Sequence, residues 1–116
     1  VIHPSCILSP NIELSEGVQI MAGTIIQPGT RIGSNTIINT KTSIDHDCTI
    51  GDHVHVAPGT TINGSVQVDN GVLIGTGATL LQTVKIGENS IIGAGALVLH
   101  DVPNAVTMLG VPAKLL

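Results

Sequence analysis

Ile2, Leu8, Leu14, Ile20, Ile26, Ile32, Ile38, Ile44, Ile50, Val56, Ile62, Val68, Ile74, Leu80, Ile86, Ile92 and Val98 stand at a strict six-residue interval, seventeen aliphatic side chains without an insertion. A helix face repeats every 3.6 residues, so this period excludes one. The residue two places earlier is always small, β-branched or both, from Cys6, Ile12, Val18 and Thr24 through Val84, Ser90 and Ala96. Two inward side chains at i and i−2 define a short strand. Gly33, Gly51, Asn63, Asp69, Gly75, Gly87 and Gly93 follow the aliphatic residue and are expected to supply the turn. Short strand plus turn every six residues predicts an all-β parallel helix of triangular section, with three strands and 18 residues per coil, and five to six coils between residues 2 and 98. Each coil needs its neighbours to bury its ends.

Composition sharpens this picture. The 116 residues hold no Phe, Tyr or Trp, so the interior must be narrow and filled with β-branched and small side chains. Arg31, Lys41, Lys85 and Lys114 are the only basic residues beside eight acidic ones, which leaves no electrostatic footprint for a nucleic-acid backbone. No apolar run approaches the ~20 residues that span a bilayer, and no signal segment opens the chain, so a cytoplasmic protein is expected. The chain starts at Val1, already inside the repeat, as expected of a piece of a longer protein. Cys6 and Cys48 both point inward, but their separation of 42 is not a multiple of 18; they fall on different faces, and buried free thiols are expected.

Residues 18 apart stack, about 4.8 Å from coil to coil. The column through His46 reads Pro10, Pro28, His46, Gly64, Gln82, His100, which places His46 at an exposed corner against a residue with no side chain. A base beside an accessible amide suits acyl transfer, one removing a proton and the other stabilising an oxyanion. Asp45 and Asp47 flank His46 in a chain otherwise poor in charge, and a carboxylate can orient an imidazole and fix its tautomer. His55 precedes inward Val56 and faces outward elsewhere, half a circuit away, so a site shared with His46 needs two subunits. His53 lies on the third corner and, with His3 and His100, reads as a solvated turn residue.

The segments IHPSC, IINTKTSIDHDCTIGDHVHVAPG, IGENSIIGAGALVLHDVP and GVPAK resemble the C-terminal domain of the sialic acid O-acetyltransferase and sugar-nucleotide N-acetyltransferase family of the NeuD and PglD type. The resemblance spans nearly the whole chain and implies a left-handed β-helix over 1–100 and a C-terminal extension over 101–116 packing on the last coil. Members carry an N-terminal Rossmann-like substrate domain, which this stretch does not contain. The resemblance further implies an acetyl-CoA-dependent acetyltransferase that forms a cytoplasmic homotrimer with sites between subunits. It makes His46 the general base and Asp47 its carboxylate partner. Asn39 matches a polar residue near the site, and His55 one that contacts the acetyl end of the cofactor. Gly64, Thr76 and Ala94 match backbone contacts to acetyl-CoA. Lys85 and Lys114 are candidates for its phosphates. The expected reaction is N-acetylation of an amino-sugar nucleotide without an acyl-enzyme, with no metal and a small-molecule acceptor.

Three other readings compete. O-acetylation of sialic acid or another sugar uses the same scaffold. A zinc hydratase of the gamma-carbonic-anhydrase type would draw on the histidines, but His46, His53 and His55 fall on separate corners or faces and cannot converge within one chain. An ice-binding helix needs outward threonine ladders; Thr24, Thr30, Thr36, Thr42 and Thr60 point inward, and the outward column Pro4, Ala22, Thr40, Pro58, Thr76, Ala94 is broken.

Overall fold

The computed structural model covers residues 1–116 and holds strands and turns but no helix. Strands β1 to β16 are two residues long and start every six residues, from β1 (Ile7–Leu8), β2 (Glu13–Leu14) and β3 (Gln19–Ile20) to β16 (Leu97–Val98). Every third strand joins the same parallel sheet, so three sheets form the sides of a triangular prism with extents of 37 × 20 × 20 Å. The register is the 18-residue ruler itself: Ile26 pairs with Ile44 and Ile44 with Ile62. We call the sheet beginning with β1 the first face, that beginning with β2 the second, and that beginning with β3 the third.

The period-six aliphatic residues fill the prism. Ile20, Ile38, Ile44, Val56, Ile62, Ile74, Leu80 and Ile92 are fully shielded from solvent. The inward i−2 position is not uniformly apolar, and its oxygens and sulfurs have a shared task. Thr24, Thr30, Thr36, Thr42 and Thr60 each donate to the carbonyl 15 residues ahead, as when Thr36 Oγ1 reaches Gly51 O at 2.7 Å. Cys6 and Cys48 do the same with Sγ, to Met21 O at 3.0 Å and Asn63 O at 3.1 Å. These bonds satisfy carbonyls that the narrow prism partly shields from water. Thr36 also accepts from Val54 N at 3.1 Å, so Thr36→Val, equal in shape, strands the buried Val54 amide and leaves the partly buried Gly51 carbonyl without this donor. It is expected to lower stability by about 1–3 kcal/mol, measured by urea denaturation.

The turns differ from the sequence expectation. The left-handed conformation recurs at the third residue after each aliphatic one, from Gly17 through Asp47 (φ 56°) and Ser65 (φ 58°) to Gly95, and never at the residue directly after it. Gly33, Gly51, Gly75 and Gly87 are instead demanded by stacking: a Cβ on Gly75 would stand 2.5 Å from the Ala94 amide nitrogen in the next coil. Beyond Val98 the spacing shortens by two residues. Ile86 bridges to Val102 and Ile92 pairs with Met108, each at an offset of 16, after which β17 (Thr107–Leu109) and antiparallel β18 (Lys114–Leu115) lie on the end of the third sheet. Neither β17 nor β18 is a helix, and no helix long and apolar enough to cross a membrane exists in the chain.

Candidate active site at the corner between the first and second faces

His46 follows β7 (Ser43–Ile44) at the corner where the chain leaves the first face for the second. Its own amide donates to Asp45 Oδ1 at 2.7 Å, which pins the start of the turn. Asp47, next along, takes the left-handed conformation, and its Oδ2 lies 3.0 Å from His46 Nδ1. An ionised carboxylate can only accept, so Nδ1 carries the ring proton and Nε2 is left as the basic nitrogen of the neutral imidazole. Both side chains are more than half exposed, at 57% and 67%, and the pair therefore orients the ring rather than stabilising the fold.

Gly64 sits one coil on, buried beneath the imidazole. A Cβ there would stand 2.6 Å from Nε2 and 2.9 Å from Cε1. The Gly64 carbonyl accepts from Thr83 N at 3.0 Å, while its N–H donates to nothing within the chain. A groove of about 510 Å³ opens here, lined by Asp45, His46, Asn63, Gly64, Ser65, Gln82 and Thr83. Gln82 and Thr83 also line a second hollow of about 580 Å³ with Leu81, Val84, Leu99, His100 and Asp101, so the groove continues along the axis toward the C-terminal end. Asn63, Ser65, Gln82 and Thr83 were missed from sequence. The ruler contained them, since they are the positions one and two coils beyond 45, 46 and 47.

The other candidates lie elsewhere on the prism. Asn39, Thr76 and Ala94 belong to the corner between the third and first faces, and His55 to the outer side of β9 (His55–Val56) on the third face, with the width of the first face between them and His46. Asn39 Oδ1 accepts from Thr40 N at 2.8 Å and caps its own turn. The Thr76 and Ala94 amides, like that of Gly64, have no acceptor in the chain. His55 lies between Ile37 and Leu73 in the register, and its Nε2 is buried without a partner. Lys85 stands on the outer side of the second face and Lys114 on β18 at the end of the third, so the two ammonium groups do not converge in one chain. His53 is exposed at the remaining corner, and no group of three His, Cys, Asp or Glu side chains is arranged to hold a metal ion.

Both cysteines are free. Burial pushes the Cys48 thiol up from 9.0 to about 11; the Val66 amide opposes this and the nearby Asp45 and Asp47 carboxylates add to it. The thiol stays protonated in the folded chain between pH 9 and about 11 while the unfolded chain ionises, so Cys48 favours the fold below pH 9 and that contribution is lost as pH rises toward 11. The fall in stability across this window is expected to be shallower in Cys48→Ala by about 2 kcal/mol, measured by denaturation at each pH.

The chain is a left-handed parallel β-helix of the hexapeptide-repeat class, and it carries an imidazole–carboxylate pair at one corner facing an unoccupied amide. It belongs to the bacterial transferase hexapeptide family, whose six-repeat model matches residues 29–64 and 65–100. Among solved structures, a mutant of perosamine N-acetyltransferase from Caulobacter crescentus, in complex with CoA and GDP-perosamine, is 42% identical and superposes with a TM-score of 0.98 over 99% of this chain and 55% of that one. The acetyltransferase domain of PglB from Neisseria gonorrhoeae, in complex with acetyl coenzyme A, is 36% identical with a TM-score of 0.98, covering 99% of this chain and 56% of that one. The chain thus spans little more than half the length of these relatives. Comparison with curated protein sequences gives no match.

Proposed function

We propose that this chain is the acyl-transfer domain of an acetyl-CoA-dependent acetyltransferase that N-acetylates an amino-sugar nucleotide, with His46 as general base. The observation that carries the reading is the seat of His46: Nδ1 held by Asp47, Nε2 free, and the unbonded Gly64 amide directly beneath. The relatives crystallised with CoA, acetyl coenzyme A and GDP-perosamine support the co-substrate and the class of acceptor.

In the reaction, the sugar amine attacks the thioester carbonyl and His46 Nε2 takes its proton. The Gly64 N–H donates to the oxygen as negative charge develops there, and collapse expels the CoA thiolate, which is protonated from the imidazolium. No acyl-enzyme is required. Cys48 is buried with its thiol held protonated, and Cys6 donates its thiol to Met21 O.

Acetyl-CoA contacts are divided between two corners of the prism, so a homotrimer completes the site. His46, Asp47 and Gly64 of one subunit face Asn39, His55, Thr76 and Ala94 of the next. Surface chemistry supports this choice of face. The outer side of the third face presents Ile37, Leu73 and Ile91, the last two 41% and 43% exposed, together with the unpartnered His55 Nε2. The second face presents Glu13, Arg31, Thr49, Gln67 and Lys85 and suits solvent. The nucleotide half of the acceptor is assigned to a Rossmann-like domain N-terminal to this stretch, and Lys85 and Lys114 to the CoA phosphates.

The test is an acetyl-transfer assay with acetyl-CoA and two acceptors, an amino-sugar nucleotide and sialic acid, alongside the sedimentation mass. Acetylation of the amine by a trimer is expected. Turnover with the hydroxyl acceptor alone would reassign the chemistry to O-acetylation, and a monomer with full activity would overturn the shared site.

A further inference from the structure

The two oxygens of Asp47 have different surroundings. Oδ2 meets His46 Nδ1 at 3.0 Å, whereas Oδ1 rests on the bare Cα of Gly29, one coil below. A Cβ on Gly29 would overlap Oδ1 and stand 3.1 Å from Cγ and 3.6 Å from the Asp47 Cα. The backbone cannot yield to relieve that overlap. Asp47 N donates to Pro28 O at 3.0 Å and Gly29 N to Asn11 O at 2.8 Å, so both residues are locked into the stack. The carboxylate would have to rotate, and it holds the imidazole.

We infer that Gly29 is a positioning residue: its missing side chain is the floor that sets the Asp47 carboxylate and, through it, the His46 tautomer. The inference rests on the general-base reading for its catalytic consequence, but its geometric content stands apart. Gly29 and Gly64 bracket the pair, one leaving room for the carboxylate and the other for the ring.

The fold provides its own control. A Cβ on Gly71 would overlap Asn89 Oδ1 in the same way and stand 3.3 Å from its Cγ, at a similar backbone angle (φ 72° against 81° at Gly29), but at the corner between the second and third faces, away from the groove. Gly29→Ala and Gly71→Ala should therefore lose similar stability. Only Gly29→Ala should change the ¹⁵N shifts of the His46 ring, from the Nδ1–H tautomer to a mixture, with the signal assigned by its absence in His46→Ala. It should also lower kcat about tenfold, at the lower end of what removal of a ring-orienting partner costs, with KM for acetyl-CoA within about twofold.

In an Asp47→Ala background, where no carboxylate is left to displace, Gly29→Ala should add no further change in tautomer or kcat. This double variant also covers the case in which Gly29→Ala alone does not fold: rescue of folding by Asp47→Ala supports the steric coupling, and failure in both backgrounds overturns it. An unchanged tautomer in folded Gly29→Ala overturns the inference as well. Failure of the base reading shows separately, as normal turnover by His46→Ala, and leaves the tautomer measurement to decide on Gly29.

Discussion

His46→Ala is expected to lower kcat by at least about 100-fold, the usual cost of losing a positioned general base. The loss should appear without damage to the fold. The imidazole is 57% exposed, and its side-chain hydrogen-bond partner is Asp47, which is more exposed still. The bond from the residue-46 amide to Asp45 Oδ1 survives the substitution, as does that from Ser65 N to the residue-46 carbonyl at 2.9 Å. Residue 46 is outside the left-handed region, so alanine adopts its backbone without strain. Oligomer mass and melting temperature should stay near wild type, and KM for acetyl-CoA should change little, since the Gly64 amide is untouched. Turnover close to wild type would remove His46 from the mechanism.

Gly64→Ala separates geometry from stability in the same site. Its methyl would stand 2.6 Å from Nε2, 2.9 Å from Cε1 and 3.2 Å from Cδ2, so the ring must leave. Its obstacle is a side chain at the surface rather than backbone, and Gly64 does not have a positive φ, so the coil accommodates alanine by expelling the imidazole into solvent. Displacement of a reacting group by about 1 Å can cost 100-fold, and a loss of that order in kcat is expected, with the melting temperature little changed. Steady-state kinetics beside a thermal melt decides it. Full activity in Gly64→Ala would mean that the ring does not work from the seat seen here, and unfolding would mean that the glycine serves the stack alone.

Much of this was legible in the order of residues. Seventeen aliphatic positions at one interval give a three-sided coil, though not its hand, and the 18-residue ruler that follows stacks Gly64 on His46. Cys6 and Cys48 were placed inward on different faces by the same count, and the structure keeps both as free thiols. Less legible were features that depend on how coils touch. Gly75 and its counterparts read as turn formers, but a turn and a tight stack both select glycine; contact distances show the stack, and the backbone angles show that the turn's left-handed residue comes two places later. The inward threonines looked like small fillers, and their bonds to carbonyls 15 residues ahead became visible only once the coil had a third dimension.

By itself the sequence determined the period, the three faces and the columns, because a repeat of fixed length leaves each residue's height and side on the prism to arithmetic. The tertiary structure decided rotamers and clearances: which Asp47 oxygen meets the ring, that Nε2 is the free nitrogen, and that Gly29 and Gly64 make room on either side. Those depend on angstrom-scale packing between neighbouring coils, where a single Cβ separates an open seat from a closed one, and no count of residues carries that information.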